Sequence, residues 1–293
     1  MPTIIVPTDF SENAANAIRY ASQLALHGGG KLLLVHTLIF PATTAPQGFV
    51  SIPADPRQIE DCEEALQKLA LKIQEEHEYA FEVKTICLYG ELIPHLNELI
   101  NTQAADLVVM GTRGASNFLD RLLGTNTANF IKKADCPVLV VPGQATFKGL
   151  SHIAYASDFE TDETVYLKQL FQFASPFGSE VSIINVKSER QLNIVSDHQV
   201  LKTLNKHFPE NAYTVAQLLN NDVVAGIKTF VEENNIDVLA VSIHERGFVE
   251  GLLHTSVTQA LAYQAFVPLL ALPKNPYHFQ AHKNGEKKPL PAL

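Results

Sequence analysis

Cysteine and tryptophan are scarce in this chain of 293 residues, which has 3 cysteines and no tryptophan. Cys62, Cys87 and Cys136 are too few and too widely spaced for a disulfide framework or a CxxC metal site. We therefore expect three separate thiols, of the kind found in a reducing compartment. On this ground the sequence predicts a cytoplasmic protein.

Long apolar runs and an excess of basic residues are also missing. No run approaches the roughly 20 residues that a membrane-spanning helix needs, and residues 1–4 lack the basic start of a signal peptide. Lys and Arg number 22 against 31 Asp and Glu, which gives a net charge of -9. Because such a surface repels a phosphate backbone, neither a membrane nor a nucleic acid is expected as a partner.

What the sequence does contain is an internal repeat. Residues 4–10, IIVPTDF, are echoed by residues 153–159, IAYASDF, each an apolar segment followed by a hydroxyl residue, Asp and Phe. Two later echoes pair residues 105–110 with 236–241 and residues 136–142 with 267–273. We assign a first copy to residues 1–143, a second copy to 150–274 and a weakly held tail to 275–293.

The first copy contains an insertion. The echoes lie 149 residues apart at the start of the copies and 131 apart near their ends, so the first copy has 18 more residues. We assign them to the stretch from Phe40 to Arg57, where four prolines and a glycine predict an irregular excursion.

Apolar strands alternate with amphipathic helices in both copies. In the first copy a strand over 3–7 leads to a helix that begins at the hydroxyl cap Ser11 and stops at Gly28–Gly30. The other elements predicted there are strands 31–37, 82–88, 106–110 and 137–141 and helices 58–77, 92–102 and 125–133. This alternation predicts an α/β fold of two doubly wound domains, each a mainly parallel five-stranded sheet with helices on both faces. Ligands of such sheets bind at the carboxyl ends of the strands.

One of those strand ends opens a glycine motif. From Gly111 the spacing runs Gly-x2-Gly-x9-Gly-Thr, through Gly114 and Gly124 to Thr125. Glycines let backbone N–H groups approach a phosphate closely, and the amides at the start of the following helix favour an anion. An alternative explanation for the glycines is that they only make a tight turn. For Arg113 two roles stay open, a phosphate ligand or a solvated loop residue.

Asp9 ends the first strand and faces the same crevice. A carboxylate there would suit hydrogen bonds to a ribose or to an adenine edge, or a metal ion, or simply the positive end of a helix dipole. Only His278 and His282 stand four apart among 11 histidines, without the Glu of an HExxH motif. We therefore predict no metal site, and we find no catalytic residue set.

The ordered set of motifs resembles the universal stress protein family. It comprises PTDFS after the first strand, His36 in a Val-His pair, and the glycine spacing followed by CPVLVV. The resemblance is strong over residues 1–142 and weak over 151–273. In ATP-binding members of that family, the acid after strand one and the residue after the strand-two His flank the adenosine, and the glycines hold the phosphates.

That resemblance implies ATP as the ligand, with or without Mg²⁺. Carried over, the binding positions are Asp9, Thr37, Met110, Gly111, Gly114, Gly124, Thr125 and, by its backbone amide, Asn126. The second copy departs from the motif, since Ser242, Glu245 and Thr255 stand where the three glycines would. A Glu at a phosphate loop repels an anion, so the nucleotide is expected in the first copy, while the second keeps the fold with a degenerate motif.

The leading hypothesis is an ATP-binding universal stress protein that acts as a regulator in stress response or signalling. Slow ATP hydrolysis or autophosphorylation, known in some relatives, is the most turnover expected. The alternative is a non-nucleotide interaction module that binds a protein or an apolar ligand through the second copy. The resemblance also implies that Val138–Val141 and Leu269–Leu272 pair within the chain as a pseudo-dimer, and it leaves a homodimer open.

Overall fold

The computed structural model describes residues 2–39, 42–45, 48–51, 56–112, 125–157, 159, 163–187, 204–243, 267–274 and 276. Its strands are β1 (Thr3–Pro7), β2 (Lys31–Leu38), β3 (Ala42–Ala45), β4 (Gly48–Ser51), β5 (Val83–Tyr89), β6 (Leu107–Gly111), β7 (Val138–Val141), β8 (His152–Ala156), β9 (Glu180–Lys187), β10 (Tyr213–Leu219), β11 (Val238–Ile243) and β12 (Leu269–Pro273). Its helices are α1 (Glu12–Gly28), α2 (Pro56–Glu76), α3 (Leu92–Thr102), α4 (Thr125–Ile131), α5 (Thr164–Ala174) and α6 (Val223–Glu233).

A single ten-stranded sheet runs through both copies, in the order β10-β9-β8-β11-β12-β7-β6-β1-β2-β5. Five strands come from each copy, and within a copy all neighbours are parallel. The predicted fold class is confirmed. In the first copy the chain winds outward from β1 through β2 to β5 and returns on the other side of β1 as β6 and β7. The order therefore reverses between β1 and β6, where the crevice of such sheets lies.

The two copies meet through their last strands. β12 pairs antiparallel with β7, and Leu270 lies opposite Leu139. Both leucines are fully buried. The pairing of these two strands that the family resemblance implies is present, and it leaves β5 and β10 at the two ends of the sheet.

The core lies on both faces of the sheet because parallel strands covered on each side are apolar throughout. Alternate residues of β1 face opposite ways: Ile4 and Val6 join a cluster that extends across both copies, and Ile5 joins a second cluster under α3 and α4. α1 begins at the cap Ser11, whose hydroxyl accepts from the Ala14 amide at 3.2 Å, and ends at Gly29 with a φ of 69°. Both ends follow from the sequence.

The predicted irregular excursion is wrong in part. β3 and β4 lie inside it and pair antiparallel, with Ala42 opposite Ser51. Pro41, Pro46 and Pro53 all fall outside these two strands. Because proline removes a ladder donor only at its own position, the strand amides between the prolines remain free to pair.

The prediction of three separate thiols is also wrong. Cys62 of α2 and Cys87 of β5 form a disulfide with a Cα–Cα distance of 6.4 Å, while Cys136 is a buried free thiol. The prediction considered only cysteines that are close in sequence. The packing of α2 on β5 instead brings together two cysteines that are 25 residues apart. The cysteines therefore give no support to the predicted cytoplasmic location. Among the described helices, none has the length and apolar character to cross a membrane.

Candidate functional site

The carboxyl ends of β1, β2 and β6 lie side by side. β1 and β6 pair at Ile5 and Val108, so Thr8 and Gly111 each lie three residues beyond that pair. β1 and β2 pair as far as Pro7, and the Thr8 amide continues the ladder to the Val35 carbonyl at 2.8 Å. The structure thus brings the polar ends of three strands to one edge of the sheet.

Asp9 is exposed at this edge and is tied to the start of α1. Its Oδ1 accepts from the Ser11 amide at 3.0 Å. Partial burial acts to raise the pKa of Asp9, but hydrogen bonds from the Ser11 hydroxyl and amide, together with the charge of His36, outweigh it. The pKa lies below its ordinary value, so the carboxylate is ionised at neutral pH and is oriented before any ligand arrives.

His36 connects β2 to the turn that carries Asp9. Its Nδ1 lies 2.7 Å from the Thr8 carbonyl oxygen and must carry a proton to donate to it. The Thr8 hydroxyl accepts from the Phe10 amide at 3.1 Å, and Phe10 has a φ of 61° and is 47% exposed. The Phe10 ring lies 4.9 Å from the His36 ring, centroid to centroid. These contacts fix the turn after β1.

Thr37 and Met110 have different surroundings. Thr37 lies near the end of β2, partly exposed and opposite Leu88 of β5. Met110 is 5% exposed and its side chain packs in the core under α3 and α4. A ligand at the strand ends would therefore meet the backbone of Met110 rather than its thioether.

Close packing against α1 favours glycine at position 111. A Cβ at this position would lie 2.5 Å from the carbonyl oxygen of Asn13 in the first turn of α1. Its own carbonyl accepts from the Thr127 hydroxyl of α4 at 3.3 Å. Gly111 therefore lets α1 approach β6 and links the end of β6 to the start of α4. The close approach of a helix is a third explanation beside the phosphate cradle and the tight turn.

The rest of the glycine motif is only partly described. Gly114 and Gly124, like Arg113, lie outside the described residues. Thr125 is the first residue of α4, and Asn126 is exposed in its first turn. The Thr127–Gly111 hydrogen bond shows that this turn lies beside the end of β6.

The second copy repeats the turn after its first strand. The Ser157 hydroxyl accepts from the Phe159 amide at 3.0 Å, and Phe159 has a φ of 59°. The Asn185 amide donates to the Ser157 carbonyl at 2.8 Å, as His36 does in the first copy. Asp158, Glu245, Thr255 and Ser256 lie outside the described residues.

A buried carboxylate lies at the carboxyl ends of the second copy's strands. Glu163, at the start of α5, accepts from the Tyr155 hydroxyl at 2.9 Å and from the Ser157 hydroxyl, and is 9% exposed. Burial, and then the charge of Glu163, raises the pKa of Tyr155 far above its ordinary range. Ser242, which stands in the place of Gly111, is also buried. Among the described residues of this edge, the Glu163 carboxyl group and the Ser242 side chain are therefore both buried.

Sequence reasoning missed both Glu163 and the anchoring role of α1 and α5. Asn16 of α1 donates to the carbonyls of Pro142 and Ala145 at 2.9 and 3.0 Å, and Gln169 of α5 donates to the Pro273 carbonyl at 2.8 Å. At the offset of 149 residues Asn16 matches Val165 rather than Gln169, so the repeat in the sequence does not reveal this shared contact. For Glu163 no sequence signal exists, because it is a helix-cap residue that turns inward.

The described residues away from the strand ends add little to the site. No group of three His, Cys, Asp or Glu side chains that could hold a metal ion occurs in the part of the chain that the structure describes. A cavity of about 340 Å³ lies between the copies, at the amino ends of β1, β6 and β7 and against α5, lined by Ile4, Leu107, Gln169, Phe173 and Phe177 among others. It is at the opposite end of the strands from Asp9.

Comparison with known proteins assigns the chain. The family model described as "Universal stress protein family" matches residues 1–142 and again residues 149–273. The chain belongs to the universal stress protein family. It is 30% identical over 152 residues to universal stress protein MJ0577 of Methanocaldococcus jannaschii, covering 47% of this chain and 93% of that protein. It is 33% identical over 143 residues to universal stress protein G of Escherichia coli O157:H7, covering 47% and 97% respectively.

Solved structures support the tandem universal stress protein fold over nearly the whole chain. A universal stress protein from Archaeoglobus fulgidus DSM 4304 superposes with a TM-score of 0.69 at 17% identity, covering 93% of this chain and 98% of that one. A functionally unknown protein, PA1789 from Pseudomonas aeruginosa PAO1, superposes with a TM-score of 0.56 at 14% identity, covering 96% and 95%. At these identities the likeness concerns the fold alone.

Proposed function

We propose that this universal stress protein binds ATP, with or without Mg²⁺, at the strand ends of its first copy, and that it acts as a stress-response or signalling regulator. The observation that carries the proposal is the contrast between the copies. Asp9 is exposed and ionised beside the partly exposed His36, whereas Asn185, which matches His36, is buried, and the Glu163 carboxylate is buried against the Ser157 hydroxyl.

Each assigned position has a proposed contact with one part of the ATP molecule. Asp9 and Thr37 flank the adenosine with their side chains, and Met110 contributes its backbone. Gly111, Gly114 and Gly124 allow backbone amides to approach the phosphates, and Thr125 adds its hydroxyl and Asn126 its amide. The family match of the whole chain and the motif spacing support this assignment. The proposed role is binding of the nucleotide, with slow hydrolysis or autophosphorylation as the most turnover expected.

The test is calorimetric titration of the purified chain with ATP and Mg²⁺. Wild type should bind one ATP per chain. Gly114→Glu, which puts a carboxylate into the phosphate loop, should weaken binding by about tenfold or more, since about 1.4 kcal/mol of repulsion suffices.

Gly247→Glu is the control, because Gly247 is the first glycine in the corresponding stretch of the second copy. It should leave affinity and stoichiometry unchanged. Absence of binding by wild type, or unchanged binding by Gly114→Glu, would refute the site. Two ATP per chain, with one lost in Gly247→Glu, would show that the second copy binds as well.

A further inference from the structure

The Cys62–Cys87 disulfide joins a helix to an outer strand of the sheet. Cys62 lies in the second turn of α2 and is 7% exposed, whereas Cys87 lies within β5 and is only partly buried. Among the described strands, β5 is the last on its side of the sheet and pairs with β2 alone. The bridge therefore adds a covalent link where the sheet itself provides pairing on one side alone.

The bridge is not the sole contact that holds α2 against the sheet. α2 already buries Leu66, Ala70 and Ile73, which follow Cys62 at helical spacing and are at most 5% exposed. The second copy provides an internal comparison, since all three cysteines of the chain lie in the first copy. Cys87 pairs with His36 in β2, and the matching pair in the second copy is Gln217 with Asn185. The second copy thus forms the same outer strand without a disulfide.

The bridge is placed next to the crevice edge. His36, opposite Cys87, is the residue whose ring holds the Thr8 carbonyl. The hairpin of β3 and β4 leaves from the carboxyl end of β2 and returns to the start of α2, close before Cys62. The disulfide therefore fastens both the strand beside the crevice and the point where the inserted segment rejoins the fold.

We propose that Cys62 and Cys87 are a reversible thiol–disulfide site that clamps the first turns of α2 to β5. A low-molecular-weight disulfide is the oxidant. The more accessible Cys87 thiolate attacks it and releases one small thiolate, and the Cys62 thiolate then attacks the mixed disulfide at Cys87 and releases the second. The two protein thiols lose two electrons and two protons, and the oxidant takes them up as two small thiols. A small thiol in excess reverses both steps.

The full chain, equilibrated in oxidised or in reduced glutathione without denaturant, provides the test. Alkylation and intact mass should show two fewer reactive thiols in the oxidised protein. Hydrogen–deuterium exchange of the amides of residues 58–66 should be about fivefold faster or more in the reduced protein, because opening of these turns is no longer restrained by the bridge. Exchange in β6 should be equal in both states.

Two variants separate the pair from other redox effects. Cys62→Ser/Cys87→Ser should exchange at the fast rate in both buffers, and Cys136→Ala, which keeps the pair, should retain the difference. Three results would overturn the proposal: no bridge in oxidised glutathione, a bridge that yields to reduced glutathione only after unfolding, or equal exchange of α2 in the two states. The wild-type comparison decides the matter even if a variant fails to fold.

Discussion

At residue 111 the absence of a side chain has a steric cause that is independent of any ligand. A Cβ added there would meet a backbone oxygen of α1, which cannot move without shifting the helix. Gly143 meets the same residue differently: a Cβ there would lie 2.5 Å from Asn13 Oδ1, the end of a side chain. The contact of residue 111 with the Asn13 backbone is therefore rigid, whereas the contact of residue 143 with the Asn13 side chain can be relieved by a change of rotamer.

This difference predicts unequal effects of two glycine substitutions. Gly111→Ala should lower the free energy of unfolding by about 1–3 kcal/mol, the usual cost of overpacking. Gly143→Ala should change it by less than about 1 kcal/mol, because Asn13 can rotate away and the unfolded chain loses entropy. Urea unfolding of both variants measures the difference, and equal losses would contradict the steric explanation.

Asp9 should make stability depend on pH. Its folded pKa is depressed, so its contribution is present above the unfolded pKa of about 3.9 and disappears as the pH falls through the folded value. The difference in unfolding free energy between wild type and Asp9→Asn should therefore be constant above about pH 5, and it should shrink as the pH falls through about 3.9 and below. Asp61→Asn, at an exposed position of α2, controls for the loss of one charge. A difference that is constant with pH would contradict the assigned shift.

At the scale of elements, the strands and helices of the first copy could be predicted closely. The strand over 3–7 and the helix over 92–102 have the predicted bounds, and the others differ by at most two residues at each end. Prediction succeeds here because buried parallel strands are continuous apolar runs and the helices carry caps and a periodic apolar face. The pairing of β3 with β4 was missed because a proline-rich stretch predicts no strands, although the prolines flank the two strands and do not interrupt them.

The sequence predicts at which edge of the sheet the candidate site lies, but not the contacts between side chains there. The strand-end rule and the motif locate Asp9, Thr37 and Gly111 at one edge. The inward turn of Glu163 and the bridge between Cys62 and Cys87 depend on tertiary packing between segments distant in sequence, which no local pattern encodes. The same packing buries the Met110 side chain in the core.

At the scale of the whole molecule, the two copies share one sheet and contribute residues to the core on both of its faces. The cluster on the α1 face contains residues of both copies, among them Leu139 and Leu270. Since neither copy buries the edge of its last strand by itself, the pairing of β7 with β12 is the main structural link between them.

Wild type should consequently unfold in urea as one cooperative transition. Leu139→Ala/Leu270→Ala should remove buried contacts at the pairing, at about 2–5 kcal/mol each, and should split or broaden the transition. Ile227→Ala, in α6 of the second copy, is fully buried but distant from the pairing, and should lower stability while keeping a single transition. Circular dichroism and per-segment hydrogen exchange measure both. Two wild-type transitions would show that the copies fold independently.

The pairing of β7 with β12 also has a consequence for how the protein responds to its own concentration. Two separate subunits joined by such strands would dissociate on dilution and could exchange partners with related subunits. Within one chain the local concentration of one copy around the other is fixed by the tether, so the pair persists at any expression level. If only the first copy binds a nucleotide, every molecule then has one site and a hyperbolic response, with no cooperativity between sites for the cell to tune.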